Sequence, residues 1–392
     1  MPSGDHTVVN RTATTPPGGV RRHDFLDRFG RASFKETLPR LAEKFWRRTI
    51  AILELVNKER KYIKVSKLPF ATRLAMWRQG FLSESFTIYQ LNSPDAAKSY
   101  FSDIRRHAGI WGINRPFENI LDNKLVFWGF LKNFSSEIAP ILGYVQQSTL
   151  YSFADLNNDA VILDMNSLRD LGKKLIIKPL SASGGLGIAL YEWRDNTHHL
   201  HGEPCAPDKL LAAFTNGEYI VCKFINQAAY AARIFPDTAN SIRILTLYDS
   251  ERRECFIAAA AHRFGIRSGS KVVDNWVQGG VAAGVDLATG RLGKAYAFPR
   301  RGELIPHSHH PDTNEQIEGV QIANWPLIKS QIVRLGSKLP FLPHVGWDVI
   351  ATDQGFEIIE GNNRPAVNII QLGGPLLAEP RVAEFYRRHG VS

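Results

Sequence analysis

The sequence predicts an α+β fold, with mixed or antiparallel sheets, preceded by a mainly helical and basic N-terminal region. Three observations predict it. From about Leu121 short apolar runs alternate with helical stretches. Before that point the spacing is helical and aromatic residues are frequent. The charge is also uneven: residues 1–80 hold 17 lysines and arginines against 7 aspartates and glutamates, a balance of +10, which equals the net charge of the whole chain. The remaining residues are therefore close to neutral.

The chain has 392 residues and is 44% hydrophobic, enough for two or three ordinary cores. Residues 1–24 read as a disordered tail, with Pro16-Pro17-Gly18-Gly19 and almost no apolar periodicity. They lack the apolar stretch of a secretory signal. No apolar run is long enough to span a membrane. Cys205, Cys222 and Cys255 are odd in number and far apart, which suits a reduced, cytoplasmic protein with buried thiols.

Residues 25–118 form the predicted helical region. Ser33 and Glu36 have capping-box spacing. Leu38, Leu41, Phe45, Ile52 and Val56 then recur at helical spacing, with Thr49 filling one gap. Lys44, Arg47, Arg48, Lys58 and Arg60 decorate the other faces. Such a stripe usually docks on its own domain. A basic amphipathic helix can also lie on a membrane, so residues 25–80 are the part expected to meet the inner membrane face or a protein partner. A solvated basic surface is the plainer alternative. Residues Asp95 to His107 also have helical spacing. No nucleic-acid motif accompanies Trp77, Phe81, Phe86, Tyr89, Tyr100, Phe101 and Trp111, and no nucleic-acid partner is expected.

Six later runs read as strands: Leu175–Ile177, Tyr219–Val221, Ile242–Leu247, Cys255–Ala258, Gly346–Ile350 and Phe356–Ile359. Residues 326–338 and 375–389 read as helices.

Four clusters carry chemistry. In the first, a strand ends in Lys178-Pro179 and leads to Ser181-Ala-Ser183-Gly184-Gly185-Leu-Gly187. Glycines let backbone N–H groups approach an anion, and Lys178 adds a point charge for phosphate. The lysine precedes the glycines, so this is not a Walker A loop, and no dinucleotide fingerprint is present. A glycine-rich hairpin with a chance lysine would look the same. In the second, Tyr219-Ile-Val-Cys222-Lys223-Phe224-Ile225 is a strand whose end can offer main-chain groups to an adenine edge, or is a plain core strand.

The third cluster comprises Asn240-Ser-Ile-Arg243, Ala261-His-Arg263 and Asn275 to Gly280. Arginines within apolar strands need an anionic partner, either a structural carboxylate or a bound phosphate. The fourth is Gly346-Trp-Asp348 followed by Glu357-Ile-Ile-Glu360-Gly-Asn362-Asn363-Arg364-Pro365. Glu360 and Asn362 project together on one strand, and the Asp353-Gln-Gly355 turn brings Asp348 opposite them. Two carboxylates and an amide oxygen suit Mg²⁺ bridging phosphates. A hydrogen-bonded structural cluster is the competing account. His307-Ser-His309-His310 reads as a substrate-side loop or surface rather than a metal site.

In this order the clusters resemble the ATP-grasp superfamily. They are most similar to its sugar-transfer-associated group, through Asn240-Ser-Ile-Arg243, Asn275 to Gly280, Asp286-Leu-Ala-Thr-Gly290, His310-Pro-Asp-Thr313 and Glu360-Gly-Asn-Asn-Arg-Pro365. The resemblance covers residues 119–392, with subdomains of about 119–221 and 222–392. It also picks out Lys124, at the start of a helix leading to a strand. It implies that Lys124 and Lys178 contact the α/β-phosphates and that the 181–187 loop closes over them. The 221–225 segment, with Cys222, Lys223, Phe224 and Ile225, would hold adenine. Asp348, Glu360 and Asn362 would ligate Mg²⁺, and Arg243 or Arg263 would stabilise the transferring phosphoryl group. Cys222 stands where many relatives carry a glutamate. The activity implied is an ATP- and Mg²⁺-dependent ligase that activates a carboxylate for attack by an amine or other nucleophile, on a small-molecule or glycan-linked acid. A phosphotransferase to a hydroxyl, or a non-catalytic nucleotide-binding partner in a polysaccharide pathway, remains open.

Overall fold

The computed structural model describes residues 45, 46, 48–153, 162–181, 187–268, 271–273, 275–300 and 302–391. The chain divides into two compact units, residues 1–50 and 51–392. In the first, residues 45, 46 and 48–50 are helical, with Thr49 Oγ1 donating to Phe45 O at 3.0 Å. The tail and the Ser33–Glu36 capping box lie outside the described residues. No helix among the described residues is long and apolar enough to cross a membrane.

The second unit holds two large antiparallel sheets. The eight-stranded sheet comprises β1 (Ile141–Gln146), β2 (Thr149–Ser152), β3 (Ile162–Leu163), β4 (Lys174–Pro179), β5 (Ala189–Arg194), β6 (Thr197–Leu200), β7 (Glu203–Pro204) and β8 (Glu218–Lys223), in the order β3-β2-β1-β8-β4-β5-β6-β7. The seven-stranded sheet draws on later residues. Its members are β9 (Ile242–Asp249), β10 (Glu254–Phe264), β13 (Val281–Val285), β14 (Leu292–Ala297), β15 (Pro306–His307), β16 (His344–Thr352) and β17 (Gly355–Asn362), in the order β15-β14-β13-β10-β9-β16-β17. A short hairpin of β11 (Ile266–Ser268) and β12 (Lys271–Val273) projects after β10.

Alternation along the strands decides what covers each face of the seven-stranded sheet. Ile242 and Ile244 of β9, with Trp347 and Val349 of β16, face one core. That core is closed by the helix Trp325–Ser337, whose buried Trp325, Ile328, Ile332 and Leu335 recur at helical spacing. Leu245 and Leu247 of β9 face the opposite core. There Met76, Phe81, Ile88 and Phe101 of the N-terminal region meet Val382, Phe385 and Tyr386 of the helix Pro380–Arg388. Residues 51–112 thus share the core on this face of the sheet with residues 367–391.

Each of the six expected strands is present, as is the helix expected at 326–338. The helix expected over 375–389 breaks into a 3₁₀ turn, Leu376–Ala378, and Pro380–Arg388, with Pro380 opening the second piece and Glu379 capping it. The helix expected from Asp95 to His107 is a correction. A 3₁₀ turn, Pro94–Ser99, gives way to extended backbone at Tyr100, and a π-turn follows at Arg105–Gly109. The opened main chain at Phe101 donates to Gln371 Oε1 at 2.6 Å and accepts from Gln371 Nε2 at 3.2 Å. A tertiary partner has replaced the helical one.

Two features of this packing make predictions. A Cβ on Gly284 of β13 would lie 2.4 Å from the Cα of Gly373 and 2.6 Å from its nitrogen, both main-chain atoms that cannot rotate away. Gly284→Ala is expected to destabilise the protein by about 1–3 kcal/mol, read as a lower urea midpoint; an unchanged midpoint would show that the 371–373 turn yields freely. The second concerns buried acids in residues 51–112. Glu59 accepts from Ser83 N at 2.9 Å and from Ser83 Oγ, while Asp103 accepts from Leu82 N at 2.8 Å and Ser85 Oγ at 2.7 Å. Among the described residues, Glu84 has no such donor. Burial, reinforced by the charge of Asp103, pushes its carboxyl from 4.5 up to about 7. A raised folded-state pKa means that this group's stabilisation is full below pH 4.5 and is lost as pH rises through 7. The loss is about 3 kcal/mol. Glu84→Gln should remove that slope, so wild type should lose stability relative to the variant between pH 5 and pH 8 in urea titrations.

Candidate active site

The site is built where the end of β17 meets the eight-stranded sheet. Asp348 pairs across the sheet with Arg243 on β9 on one side and with Glu360 on β17 on the other. The register slips between Asp348 and Val349, leaving Ile359 as an extra residue on β17, and this bulge sets Glu360 opposite Asp348. Asp348 is 2% exposed. Arg243 donates to it through Nε and, at 2.9 Å, through Nη2; Arg263 Nη2 reaches Oδ2 at 3.0 Å. Ser241 Oγ holds Arg263 in place, accepting from Nε at 3.0 Å and from Nη2 at 2.5 Å. Of the two partners the sequence left open for these arginines, the structure shows a carboxylate of the protein.

The two acids differ in state. The guanidinium groups of Arg243 and Arg263 outweigh burial and hold the Asp348 carboxyl well below the ordinary carboxylate range. Burial, then the charge of Asp348 and a hydrogen bond to it, push Glu360 up. The two carboxyls are thus driven in opposite directions, with a hydrogen bond between them. Asn362 Nδ2 donates to Gly346 O at 3.2 Å and lies 3.5 Å from Glu360 Oε1. Its Oδ1 has no donor among the described residues. Glu360 and Asn362 therefore do project together, with Asp348 beside them.

Two lysines approach this point, Lys178 from β4 of the other sheet and Lys124 from a helix packed on β17. Asn123 caps the helix Lys124–Leu131 by accepting from Leu125 N and Val126 N, which places Lys124 at its first turn. Lys124 Nζ donates to Leu180 O at 3.2 Å, just beyond β4. Burial pushes Lys124 down, Glu360 pulls it up, and Lys178 pushes it further down, so all three charges act on one another. Lys178 also acts on Glu360. Gly361 permits this approach: a Cβ there would lie 2.8 Å from both Leu121 Cδ2 and Phe127 Cε2. The helix carrying Lys124 closes on β17 because that side chain is missing.

Beside the lysines lies an apolar wall of Ile141, Ile176, Leu180, Ile220 and Cys222. Cys222 sits inside the sheet, paired with Ile141 and Ile176. Burial pushes its thiol up, against the pull of Lys178 and Lys124. Lys223 is also spoken for, since its N–H donates to Pro140 O at 3.3 Å and it pairs with Leu175. Main chain beyond both neighbours begins at Phe224 and Ile225. The Phe224 ring carries Lys174 Nζ 4.2 Å from its centre.

Ser183, Gly184 and Gly185 lie outside the described residues. Gly187, at the loop's end, has φ +74°, and a Cβ there would lie 2.9 Å from Pro179 Cγ. Glycine is required on both counts. His310 is a correction: it is buried, its Nε2 lies 2.7 Å from Gly265 O, and it stacks on Phe235, so it is a core residue rather than surface.

A network that the motifs did not single out fixes the loop after β17. Asn114 donates to His344 O at 2.7 Å and to Asn363 Oδ1 at 2.8 Å, and Asn363 reaches Asp122 at 3.4 Å. Arg106 Nε donates to Pro365 O at 3.1 Å. No spacing rule links residues 106 or 114 to 363–365; only the tertiary fold does.

Two antiparallel α+β halves, with lysines from one facing acids and an amide from the other, define an ATP-grasp fold. A family model for sugar-transfer associated ATP-grasp proteins matches residues 113–384, and the chain belongs to that family. No curated protein matches. Among solved structures, a D-alanine–D-alanine ligase from Bacillus anthracis is similar at 13% identity, covering 69% of this chain and 68% of that one, with TM-score 0.36. The ATP-grasp ligase PsnB with its minimal precursor shows 10% identity over 74% and 67%, TM-score 0.37. A biotin carboxylase from Campylobacter jejuni shows 12% identity over 68% of this chain and 47% of its own, TM-score 0.37.

The contrast between the two acids is testable without any substrate. Asp348→Asn leaves two guanidinium groups without their counter-ion and should cost about 3–5 kcal/mol. Glu360→Gln removes an acid whose carboxyl is already pushed up by burial and by Asp348, and should cost less than about 1.5 kcal/mol. Urea unfolding of both variants measures the difference, and equal losses would contradict the assignment of charge.

Proposed function

We propose that this protein is an ATP-dependent ligase that activates a carboxylate as an acyl phosphate, for attack by an amine or other nucleophile. The observation that carries it is the meeting of Lys178, from the eight-stranded sheet, and Lys124, from the helix packed on β17, with Glu360 of the seven-stranded sheet. Two cations held against one acid form a cradle for a polyanion that also brings a divalent cation. The lysines neutralise phosphate oxygens, and the wall at Ile141, Ile176, Ile220 and Cys222 receives the base.

The donor set fits Mg²⁺. Glu360 and Asp348 stand opposite each other across the strand pair, and Asn362 Oδ1 has no donor among the described residues. No group of three His, Cys, Asp or Glu side chains exists among the described residues. Phosphate oxygens and water would therefore complete the shell, as Mg²⁺ prefers. When bound, the ion offsets charge on the transferring phosphoryl group. Asp348 keeps Arg243 and Arg263 oriented beside this point.

In the reaction, a carboxylate oxygen of the acid attacks the γ-phosphorus and the bond to the ADP oxygen breaks. The nucleophile then attacks the acyl carbon, phosphate leaves, and the nucleophile loses a proton. The family's association with sugar transfer makes a glycan-linked acid, or a small-molecule precursor, the substrate class to examine first.

The test is an acid panel with ATP, Mg²⁺ and hydroxylamine, which traps acyl phosphates as hydroxamates. Acid-dependent hydroxamate and ADP are expected. Both should fall by about 10²–10³-fold in Lys178→Met and Glu360→Gln. A stable phosphorylated hydroxyl product without hydroxamate would replace this reading by a phosphotransferase, and nucleotide binding with no turnover on any acid would replace it by a non-catalytic role.

A further inference from the structure

Residues 51–112 precede the family match, yet they join the core on the face of the seven-stranded sheet where Arg243 and Asp348 stand. Arg243 shares that face with Leu245 and Leu247 by alternation. At Gly346 the cover is very close. A Cβ there would lie 2.5 Å from Pro365 Cβ and 3.5 Å from Arg243 Cδ, and Pro365 O takes the hydrogen bond from Arg106 Nε. Arg106 is thus one residue removed from the catalytic face.

Its bonding is unusual for a half-buried arginine. Arg106 sits in the π-turn Arg105–Gly109, a geometry frequent at functional sites. Nε is used by Pro365 O, and Nη1 lies 3.0 Å from His107 Nε2. Lys58 Nζ lies 3.2 Å from the same ring nitrogen, and His107 Nδ1 lies 3.5 Å from Glu54 Oε2. Burial, then Arg106 and Lys58, push His107 down to about 3, so its ring is neutral. With two cations at Nε2, that nitrogen accepts and the proton sits on Nδ1, facing Glu54. The histidine therefore orients Arg106 without neutralising it.

Among the described residues no carboxylate lies within ion-pair distance of Arg106, and Nη2 has no hydrogen-bond partner. Asp103 acts on it only at a distance, because Asp103 Oδ2 is engaged by Leu82 N and Ser85 Oγ. Burial pushes Arg106 down, and the repulsion of Arg243 and Arg364 adds to that. A guanidinium cannot shed its proton, so the charge stays. Arg364 is exposed and lies 3.7 Å over the Trp111 ring, which fixes its plane. Among the described residues, of these three guanidinium groups only Arg243 has a carboxylate, Asp348, in ion-pair contact.

We propose that Arg106, with Arg364 beside it, forms an anion subsite that holds an oxyanion group of the substrate, a carboxylate or a phosphate monoester. Either presents the oxygens that a guanidinium fork binds. The subsite rests on the reading of the protein as a ligase only in calling the anion part of the substrate; the charge geometry stands apart from it. The N-terminal region thereby supplies substrate recognition to a nucleotide site built wholly by later residues.

The test uses the full chain and calorimetric titration at low salt. A non-hydrolysable ATP analogue with Mg²⁺ is titrated first; absence of binding there overturns the nucleotide reading and leaves the subsite to be judged on the next step. Succinate and inorganic phosphate are then titrated into the nucleotide-saturated protein. At least one is expected to bind. Its affinity should fall about ten-fold or more in Arg106→Gln, with analogue affinity kept within about two-fold, and Arg106→Lys should fall between. Succinate responding alone assigns the anion to a carboxylate, phosphate alone to a phosphate ester. Should Arg106→Gln fail to fold, Arg364→Gln, whose side chain is exposed, gives the same reading. No binding of either anion to wild type, or equal affinity in wild type and both glutamine variants, overturns the proposal.

Discussion

Asp348 is the constraint on which the rest of the site depends. It lies buried on β16, one strand in from the β17 edge of the seven-stranded sheet, where an isolated carboxylate would be prohibitive. Two arginines from two neighbouring strands make its charge tolerable, and its charge in turn adds to the push of burial on the Glu360 carboxyl. One buried anion therefore sets the side-chain geometry of β9, β10 and β17 together. It also sets the chemical state of the acid that faces the lysines.

Glycines at the same place decide how close the other elements come. Gly361 admits the helix that carries Lys124, and Gly346 admits Pro365. Both flank the acids in sequence, and both substitute an absent side chain for a gap between layers. The helix that carries Lys124 and the loop after β17 thus approach the same strand pair, each through a position where a methyl group would intrude.

Much of this was legible in the sequence, for identifiable reasons. Runs such as Ile242-Arg-Ile-Leu and Phe356-Glu-Ile-Ile announce strands because branched side chains fit a pleated, half-buried surface. Val281-Ala-Ala-Gly-Val is small because Gly373 packs against it, and so carried no such signal. The Asp348, Glu360 and Asn362 set was readable because charges between apolar residues demand an explanation. Lys124 was not; a lysine opening a helix is ordinary, and only resemblance to a family pointed to it. The partner of Arg243 and Arg263 could not be chosen from sequence, since a carboxylate and a phosphate satisfy a guanidinium equally. The helix expected at Asp95–His107 failed because Gln371, far along the chain, competes for the same main-chain groups. Arg106 was invisible for the same reason: its meaning lies in Pro365.

The bulge at Ile359 has a wider consequence. Along β17 the pleat runs in one phase from Phe356 to Ile358 and in another from Glu360 to Asn362. The first stretch answers to the apolar core and the second to the acid pair with Asp348. One inserted residue uncouples the two, so drift in core side chains need not disturb the reactive end, and the reactive end can diverge without rewriting the core. The strand is in effect two words joined by a hyphen, and selection can edit either one.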